Sequence, residues 1–396
     1  MQNTIYEYES ITNGKLKNHI INTKELHKYF TLDWKDLKAS NYCGILNFDN
    51  QDFYILPKIA NHNDEKDAEQ NLNIFIYMLM YAYDVKLSNE QIASCQNQEN
   101  HTILEVFVQM FANGLLQELK KGLYKEYLTK QDNLPVLKGK YLINENLKYN
   151  FTKVANSDCE ANFPRKNRIY CEYDEFSENN SLNQFFLYAI KYLQKFVKDK
   201  KLLKQCELIF DEVEYKSVDI NRVETINFNR LNQRFKTSFE IAILLLKQSI
   251  PLFSQDKKSF AFLFDMNVLF EKFIARMVKE SDSNVKIQNQ NNFGDLTLKP
   301  DIILENQIID TKYKKIKSIE DIKQSDKLQA FAYGINYGFE NVMLLYPKDE
   351  KDMIYDLVLG KENIVNLKIR TIYLNFSGND YKEYIDEIIE RVESLL

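Results

Sequence analysis

The sequence predicts a mixed α+β/α/β chain, in which a strand-rich N-terminal domain precedes a C-terminal domain with the element order αβββαβ. Short β-type runs separated by turns fill the first 60 residues, and the longer middle segments repeat apolar residues every three or four positions. After residue 264, one helical pattern leads into three strand-like runs, a helix and another strand. We expect domains at 1–165 and 166–396, with the core of the second at about 262–350.

The N-terminal domain is expected to contain a β-hairpin followed by helices. Residues 42–48 and 52–59 are rich in β-branched and aromatic side chains, and Asp49-Asn50-Gln51 between them suits a tight turn. Helical spacing of apolar residues follows at 65–83 and 103–128.

The middle of the chain is expected to lead from one domain to the other. Residues 134–150 have β-type composition, and the polar segment 156–168 indicates a long connection. Beyond it, the period of 3.6 residues returns at 183–204 and 229–248, which predicts helices.

The C-terminal domain carries the clearest pattern. An amphipathic helix at 265–279 precedes strand-like runs at 285–289, 296–304 and 307–313. The last two runs are separated by Glu305-Asn306, a two-residue hairpin turn. A helix at 326–337, a strand at 342–346 and a terminal helix from Tyr381 complete the chain.

Composition excludes several classes of protein. The 57 acidic and 52 basic residues give a net charge of −5, so a polyanion must bind to a local patch. The five cysteines are far apart with no CxxC pair, which predicts free thiols in a reducing compartment. The N-terminus lacks a signal-peptide pattern, and the longest apolar stretch, 74–83, is about half a membrane span. We therefore expect a cytoplasmic protein with no membrane contact.

Three side chains near the Glu305-Asn306 turn predict a catalytic site. Because strand side chains alternate between faces, Asp310 and Lys312 project from the same face, and the hairpin can bring Asp301 beside them. Two carboxylates and an ammonium form a hard-oxygen site that suits Mg²⁺ and phosphodiester hydrolysis. The alternative is structural, with Asp310 and Lys312 as a surface ion pair and Asp301 as a turn residue.

Neighbouring residues are candidates for supporting roles. Glu271, on the helix before the strands, can add a carboxylate to the metal site. Gln329 and Tyr333 lie four residues apart on one helical face, where they can reach DNA or orient the metal ligands. The lysines that follow the site are candidates for contact with the DNA backbone: Lys314, Lys315 and Lys317. The lysine-rich run 191–204 is either a second phosphate-binding surface or a solvated helix face.

These motifs resemble the McrC family, the nuclease subunits of McrBC modification-dependent, 5-methylcytosine-specific (type IV) restriction systems. The resemblance is carried by MNVLFEKF at 266–273, KPD at 299–301, IDTKYK at 309–314 and DKLQAFAY at 326–333. Further landmarks are NYCGIL at 41–46, ILPKI at 55–59, CEYDEF at 171–176 and RLN at 230–232, so most of the chain is covered. The chain departs from the family at Leu137-Lys138-Gly139-Lys140, where lysines flank the glycine in place of arginine.

The resemblance implies a PD-(D/E)xK restriction-endonuclease-like domain. Asp301, Asp310 and Lys312 would form its catalytic core, with Glu271 and Gln329 as supporting residues and Asp301, Asp310 and Glu271 around Mg²⁺. It also implies that the N-terminal domain contacts an McrB-type AAA+ GTPase ring and stimulates GTP hydrolysis, and that the substrate is modified double-stranded DNA. This chain has no GxxxxGK[ST] phosphate loop of its own, so the motor would be the partner.

We therefore expect the DNA-cleaving subunit of a GTP-dependent restriction complex in antiviral defence. Two other interpretations remain open. The chain is either a non-catalytic regulator of a AAA+ GTPase or a stand-alone Mg²⁺-dependent DNA nuclease.

Overall fold

A computed structural model describes most of the chain, in two compact units. The described residues are 3–33, 36–48, 51–60, 65–84, 103–151, 168–223, 225–254, 257–282, 284–348, 352–378 and 380–396. One unit comprises Met1–Phe107 together with Lys247–Leu396, and the other comprises Val108–Leu246. Strands, helices and sheets together confirm a mixed α/β chain.

The strands, in chain order, are β1 (Thr4–Tyr6), β2 (Phe30–Leu32), β3 (Leu37–Ala39), β4 (Tyr42–Phe48), β5 (Gln51–Leu56), β6 (Glu126–Leu134), β7 (Lys140–Tyr141), β8 (Ile169–Ser177), β9 (Ser249–Ser254), β10 (Lys257–Asp265), β11 (Lys286–Ile287), β12 (Asn291–Phe293), β13 (Leu296–Leu298), β14 (Ile302–Ile303), β15 (Ile308–Thr311), β16 (Asn341–Pro347), β17 (Ile354–Leu359) and β18 (Val365–Ile372). The α-helices are α1 (Gly14–Asn22), α2 (Glu65–Ala82), α3 (Ile103–Leu119), α4 (Ile143–Asn146), α5 (Ser181–Leu193), α6 (Lys201–Ile209), α7 (Ile220–Val223), α8 (Lys236–Gln248), α9 (Met266–Ser281), α10 (Gln324–Tyr337) and α11 (Tyr381–Glu393).

A five-stranded sheet in the first unit joins strands from the first 56 residues to strands at 249–265, in the order β1-β5-β4-β10-β9. The predicted hairpin is confirmed as β4 and β5, which pair antiparallel from Gly44↔Ile55 to Phe48↔Gln51. β10 pairs antiparallel with the other side of β4. Gly44 permits this close pairing because its φ is +148° and a Cβ there would lie 2.1 Å from the carbonyl oxygen of Phe262.

The compact units differ from the predicted division at residue 165. Residues 257–265 form β10 and return to the N-terminal sheet, so the C-terminal segment belongs to the same unit as residues 1–107. Alternation of side chains identified strands but not their partners, which are set by contacts between distant segments. Whether the N-terminal domain contacts a partner stays a prediction.

A six-stranded sheet in the first unit carries the predicted C-terminal pattern, in the order β11-β14-β15-β16-β18-β17. The central strands β15, β16 and β18 are parallel, and the outer pairs are antiparallel. Val342 and Leu344 of β16 and Leu367 and Ile369 of β18 are fully buried, as expected for parallel strands covered by helices. α10 connects β15 to β16, and α9 packs against β15, α2 and α11.

The prediction of one continuous strand at 296–304 was wrong. Residues 296–298 form β13, which pairs with β12 in a separate two-stranded ribbon, whereas β14 pairs with β11 and β15. The chain leaves strand conformation at 299–301, where Pro300 cannot donate a backbone hydrogen bond to a neighbouring strand.

Three other sequence predictions needed correction. The helix predicted at 103–128 ends at Leu119, close to Gly122 with φ +110°, and β6 follows. The β-type segment 134–150 contains only the short strand β7 and then turns helical. The helix predicted at 183–204 is two helices, α5 and α6. The connection predicted at 156–168 lies outside the described residues except for Arg168.

The second unit combines helices with an antiparallel sheet in the order β6-β8-β7. β6 pairs with β8 along its whole length, from Glu126↔Ser177 to Leu134↔Ile169. This ribbon and the turns beside it expose apolar side chains to solvent, which include Tyr127, Val136, Leu137, Ile143, Leu147 and Phe176. A monomer seldom exposes so many large apolar side chains together, so this surface is a candidate interface.

Two expectations from composition can be compared with the structure. Cys43, Cys171 and Cys206 are free and buried, as predicted, whereas Cys95 and Cys159 lie outside the described residues. Within the parts of the chain that the structure describes, no helix has the length and apolar content to cross a membrane.

Candidate active site

The end of β15 brings Asp310 and Lys312 together, as the sequence predicted. Asp310 lies inside the strand with 2% of its surface exposed. Lys312 follows the last strand residue, and its backbone N–H donates to the carbonyl of Leu345 at 2.9 Å, which keeps it in line with β16. The Nζ of Lys312 lies 2.6 Å from Oδ2 of Asp310. The pair therefore lies at the carboxyl end of an interior strand, with Asp310 buried and Lys312 half-buried, unlike the exposed ion pair of the structural alternative.

Asp301 joins this pair through the hairpin. β14 and β15 pair antiparallel with Ile302 opposite Ile309, so the next pair outward sets Asp301 against Asp310. Oδ2 of Asp301 accepts hydrogen bonds from the backbone N–H and the hydroxyl of Thr311, at 2.7 and 2.8 Å. The predicted two-residue turn forms, and these bonds fix the carboxylate beside the strand end.

Burial and mutual repulsion raise the pKa of both carboxyl groups. Desolvation, then the nearby charge of Asp301, raise the pKa of Asp310 to about 7. Desolvation also raises the pKa of Asp301, although the Thr311 hydrogen bonds oppose it. Burial is the largest single effect and lowers the pKa of Lys312, but the charge and hydrogen bond of Asp310 and the charges of Asp301 and Asp326 together outweigh it, so the net shift of this pKa is upward. The site concentrates negative charge that one ammonium only partly balances.

The buried carboxylates fit a divalent cation such as Mg²⁺. Among the described residues, Oδ2 of Asp310 is buried without a well-directed hydrogen bond, although Lys312 is close. Mg²⁺ prefers one or two carboxylates and keeps several water ligands, so Asp301 and Asp310 form a sufficient donor set. Within the described ranges, no group of three or more His, Cys, Asp or Glu side chains is arranged to hold a metal ion.

Glu271 lies close to this pair and is held by another residue. Its Oε1 accepts a hydrogen bond from Nε2 of Gln288 at 2.5 Å. Burial, followed by the charge of Asp301, raises the pKa of Glu271. Glu271 is therefore an electrostatic neighbour of Asp301, and its role as a metal ligand stays a prediction.

Gln329 and Tyr333 form a hydrogen-bonded chain that ends on Lys312. Nζ of Lys312 donates to Oε1 of Gln329 at 3.0 Å, and Nε2 of Gln329 donates to the Tyr333 hydroxyl at 2.7 Å. That hydroxyl donates to the carbonyl of Lys299 at 3.1 Å. Because Tyr333 is only 2% exposed, its geometry favours the orienting role over the DNA contact.

The three lysines beyond the site differ in their surroundings. Lys314 is half-buried, and its Nζ lies 2.8 Å from Oδ2 of the buried Asp326. Lys315 and Lys317 are exposed. The ion pair makes Lys314 the weakest of the three candidates for DNA contact, and the contact itself stays a prediction for all of them.

Sequence reasoning missed two residues that position the site. Thr311 holds Asp301, and Gln288 links Asp301 to Glu271, since its backbone N–H donates to the Asp301 carbonyl at 2.9 Å while its side chain binds Glu271. Gln288 adopts φ +49°, which is uncommon for a residue with a side chain. Thr311 stands between two predicted catalytic residues and could have been proposed from that position, whereas no pattern in the sequence singles out Gln288.

Comparisons with known proteins agree with this architecture. The chain is similar to a chain of the refined half-complex from a tetradecameric assembly of Thermococcus gammatolerans McrB AAA+ hexamers with bound McrC. Identity is 20%, 99% of each chain is covered, and the TM-score is 0.59, which shows a shared fold. A chain of the cryo-EM structure of the Thermococcus gammatolerans McrBC complex matches at 25% identity over 70% of this chain and 86% of that chain, with a TM-score of 0.47. A search of curated proteins gave no match.

A protein-family model gives the assignment. The model for the McrBC 5-methylcytosine restriction system component matches residues 37–347. The match runs from β3 to β16, so it includes the second unit and the residues Asp301, Asp310 and Lys312, and it covers well over half of the chain. We conclude that the chain belongs to the McrBC 5-methylcytosine restriction system component family.

Proposed function

We propose that this chain is the DNA-cleaving subunit of a GTP-dependent, modification-dependent restriction complex. The observation that carries the proposal is the convergence of Asp301, Asp310 and Lys312 at the end of β15, with the Lys312 amine 2.6 Å from Asp310. A hairpin followed by this acid-x-Lys spacing is the PD-(D/E)xK pattern, and its two carboxylates, Asp310 buried and Asp301 half-buried, suit Mg²⁺.

Each side chain at the site would have its own role in phosphodiester hydrolysis. Asp301 and Asp310 would hold Mg²⁺, which when bound would polarise the phosphate and acidify water. Lys312 is placed to donate to the attacking water and to balance the charge that develops on the phosphate. Gln329 fixes the direction of the Lys312 amine, and Tyr333 fixes Gln329. Thr311 restrains Asp301, so the site is largely ordered before substrate binds.

A AAA+ GTPase ring of the McrB type is the proposed partner, in a cytoplasmic complex. Family membership and the fold shared with a chain from an assembly of McrB AAA+ hexamers with bound McrC support this. The apolar surface beside β6 and β7 is the proposed contact, since Val136 is 69% and Ile143 is 64% exposed. Both residues fall within the N-terminal domain predicted from the sequence. The buried free thiols suit a reducing compartment.

Plasmid cleavage with three variants tests the catalytic part. Asp310→Asn and Lys312→Ala should abolish Mg²⁺-dependent cutting by the complete mixture of this protein, its GTPase and GTP. Lys361→Ala removes an exposed lysine elsewhere and should cut like the wild type. Wild-type cutting by both site variants would refute the assignment of the site.

Measurement of GTP hydrolysis tests the partner. Val136→Asp with Ile143→Asp should abolish stimulation of the GTPase, because charges in an apolar interface are costly to desolvate. Lys312→Ala should stimulate normally. Stimulation by the wild type with no cleavage in any metal would favour the regulator instead, and cleavage without a GTPase would favour the stand-alone nuclease.

A further inference from the structure

A cavity of about 250 Å³ lies at the carboxyl ends of the three neighbouring parallel strands. Residues 313–315, which continue directly from Lys312 after β15, form one side. Pro347 at the end of β16 and Leu374 after β18 form another. In sheets with parallel strands, ligands bind outside the carboxyl ends of the strands. The cavity is therefore in the usual place for a ligand and borders the proposed catalytic site.

A buried carboxylate lines the cavity without using all of its hydrogen-bonding capacity. Glu7 is 3% exposed, and its Oε1 accepts from the backbone N–H of Lys58 at 2.8 Å and from the Tyr313 hydroxyl at 2.9 Å. Its Oε2 is buried and has no hydrogen-bond partner among the described residues. Buried polar atoms are rarely left unpaired, so this oxygen indicates a ligand that brings an N–H or O–H donor.

The walls combine apolar surface with positive charge. Ile59 and Leu374 contribute apolar surface, and Tyr8 adds an aromatic ring that is 54% exposed. Tyr8 has a φ of +62°, a backbone conformation that residues other than glycine rarely adopt and that is enriched at functional sites. A flat ring system fits such walls better than an extended polar chain does.

Lysines at the cavity supply the positive charge. Lys58, Lys315 and Lys348 line it, and Lys58 and Lys348 pair with Glu9 and Asp352 at 3.0 and 2.8 Å. Those acids do not line the cavity, and Asp352 is exposed while Glu9 is partly exposed, so the pairs contribute little stability and a phosphate can compete for the amines.

We propose that this cavity binds one nucleoside phosphate, with the base between the apolar walls, a base N–H donating to Glu7 and the phosphate on the lysines. The volume of about 250 Å³ is slightly below the roughly 300 Å³ at which small-molecule sites begin, so the cavity can take one base with its phosphate outside on the lysines but not a duplex. The proposal rests on the proposed function in one respect, because DNA at Lys312 would bring a displaced nucleotide to the cavity. A free nucleotide has the same chemistry.

Binding of the four deoxynucleoside monophosphates to the full chain, measured by calorimetry in EDTA, tests the proposal. At least one should bind, and Ile59→Phe, which fills the cavity, should abolish binding. Glu7→Gln keeps the acceptor used by Lys58 and Tyr313 but replaces the unpaired oxygen. At pH 8, above the Glu7 pKa of about 7, it should weaken binding about tenfold, as expected for a hydrogen bond to a charged group. Lys348→Ala should also weaken binding, and Lys361→Ala should not.

A duplex with a single unpaired 2-aminopurine distinguishes a nucleotide displaced from DNA from a free nucleotide as the ligand. If the nucleotide comes from DNA, the protein should change the fluorescence of this base, and Ile59→Phe should remove the change. If only free monophosphates bind, the cavity is a site for a soluble nucleotide, and the proposal holds for that source.

Absence of binding by every monophosphate and by the 2-aminopurine duplex, with the wild type folded, would overturn the proposal. Binding that Ile59→Phe and Lys348→Ala leave unchanged would also overturn it. Neither result depends on Mg²⁺, the GTPase or cleavage, so failure here leaves the nuclease proposal to its own plasmid test.

Discussion

Glu7→Gln should make the protein more stable at alkaline pH, although it changes only one atom of a buried side chain. Burial raises the pKa of Glu7 from its ordinary value of 4.5 to about 7, despite hydrogen bonds from Lys58 and Tyr313 that oppose the rise. Below pH 4.5 Glu7 is protonated in both the folded and the unfolded chain, so it does not lower the free energy of unfolding there. Between pH 4.5 and about 7 the unfolded chain loses the proton first, and the free energy of unfolding falls.

The size of the effect follows from the shift in pKa. Each pKa unit corresponds to about 1.4 kcal/mol, so a rise from 4.5 to about 7 costs about 3 kcal/mol once Glu7 is ionised. Gln cannot ionise and lacks this penalty. The difference in unfolding free energy, variant minus wild type, should therefore grow by about 3 kcal/mol between pH 4 and pH 8.

Urea denaturation followed by circular dichroism, at several pH values, measures this difference. Groups other than Glu7 contribute equally to both proteins and cancel. Tyr313→Phe provides a second perturbation, because it removes a hydrogen bond that lowers the Glu7 pKa and should move the transition to higher pH. A difference between Glu7→Gln and wild type that is independent of pH would refute the argument that Glu7 titrates as a buried group.

Three further predictions follow from the site and the fold. Asp310→Asn should abolish cleavage yet unfold no more easily than the wild type in EDTA at pH 8, because a neutral amide avoids the repulsion from Asp301; a large loss of stability by urea denaturation would show a structural ion pair instead. Tyr333→Phe breaks two hydrogen bonds behind Gln329 and should slow plasmid cleavage about tenfold while the Mg²⁺ requirement remains, and an unchanged rate would remove the orienting role. Gly44→Ala should cost more than about 3 kcal/mol in urea denaturation because its Cβ would meet a carbonyl oxygen, whereas Gly14→Ala, with open space around it, should be tolerated.

The local elements around the site could be predicted from the sequence because each has a local cause. The hairpin at Glu305-Asn306 needs only two apolar runs and a turn pair, and α10 needs only its periodicity and the glycine after it, Gly338 in left-handed conformation. Alternation along β15 was enough to place Asp310 and Lys312 together.

The remaining features depend on contacts between distant residues. The first unit is formed by two separate segments of the chain because β10 pairs with β4. Nothing in the sequence of either strand alone specifies the other as its partner. Glutamates usually lie on the surface, yet Glu7 is 3% exposed and accepts a hydrogen bond at 2.9 Å from Tyr313, more than 300 positions later in the chain. Gln288 similarly becomes important only when α9 and the hairpin meet. Such residues are found from tertiary structure and not from a local pattern.

Cleavage of methylated and unmethylated plasmid in Mg²⁺, with and without the GTPase and GTP, tests whether this chain is the DNA-cleaving subunit. We predict that methylated DNA alone is cut, only by the complete mixture, and not when Lys312→Ala replaces the wild type. Undiminished cutting by folded Lys312→Ala, or stimulation of GTP hydrolysis with no cutting by the wild type, would contradict the assignment of this chain as the cleaving subunit.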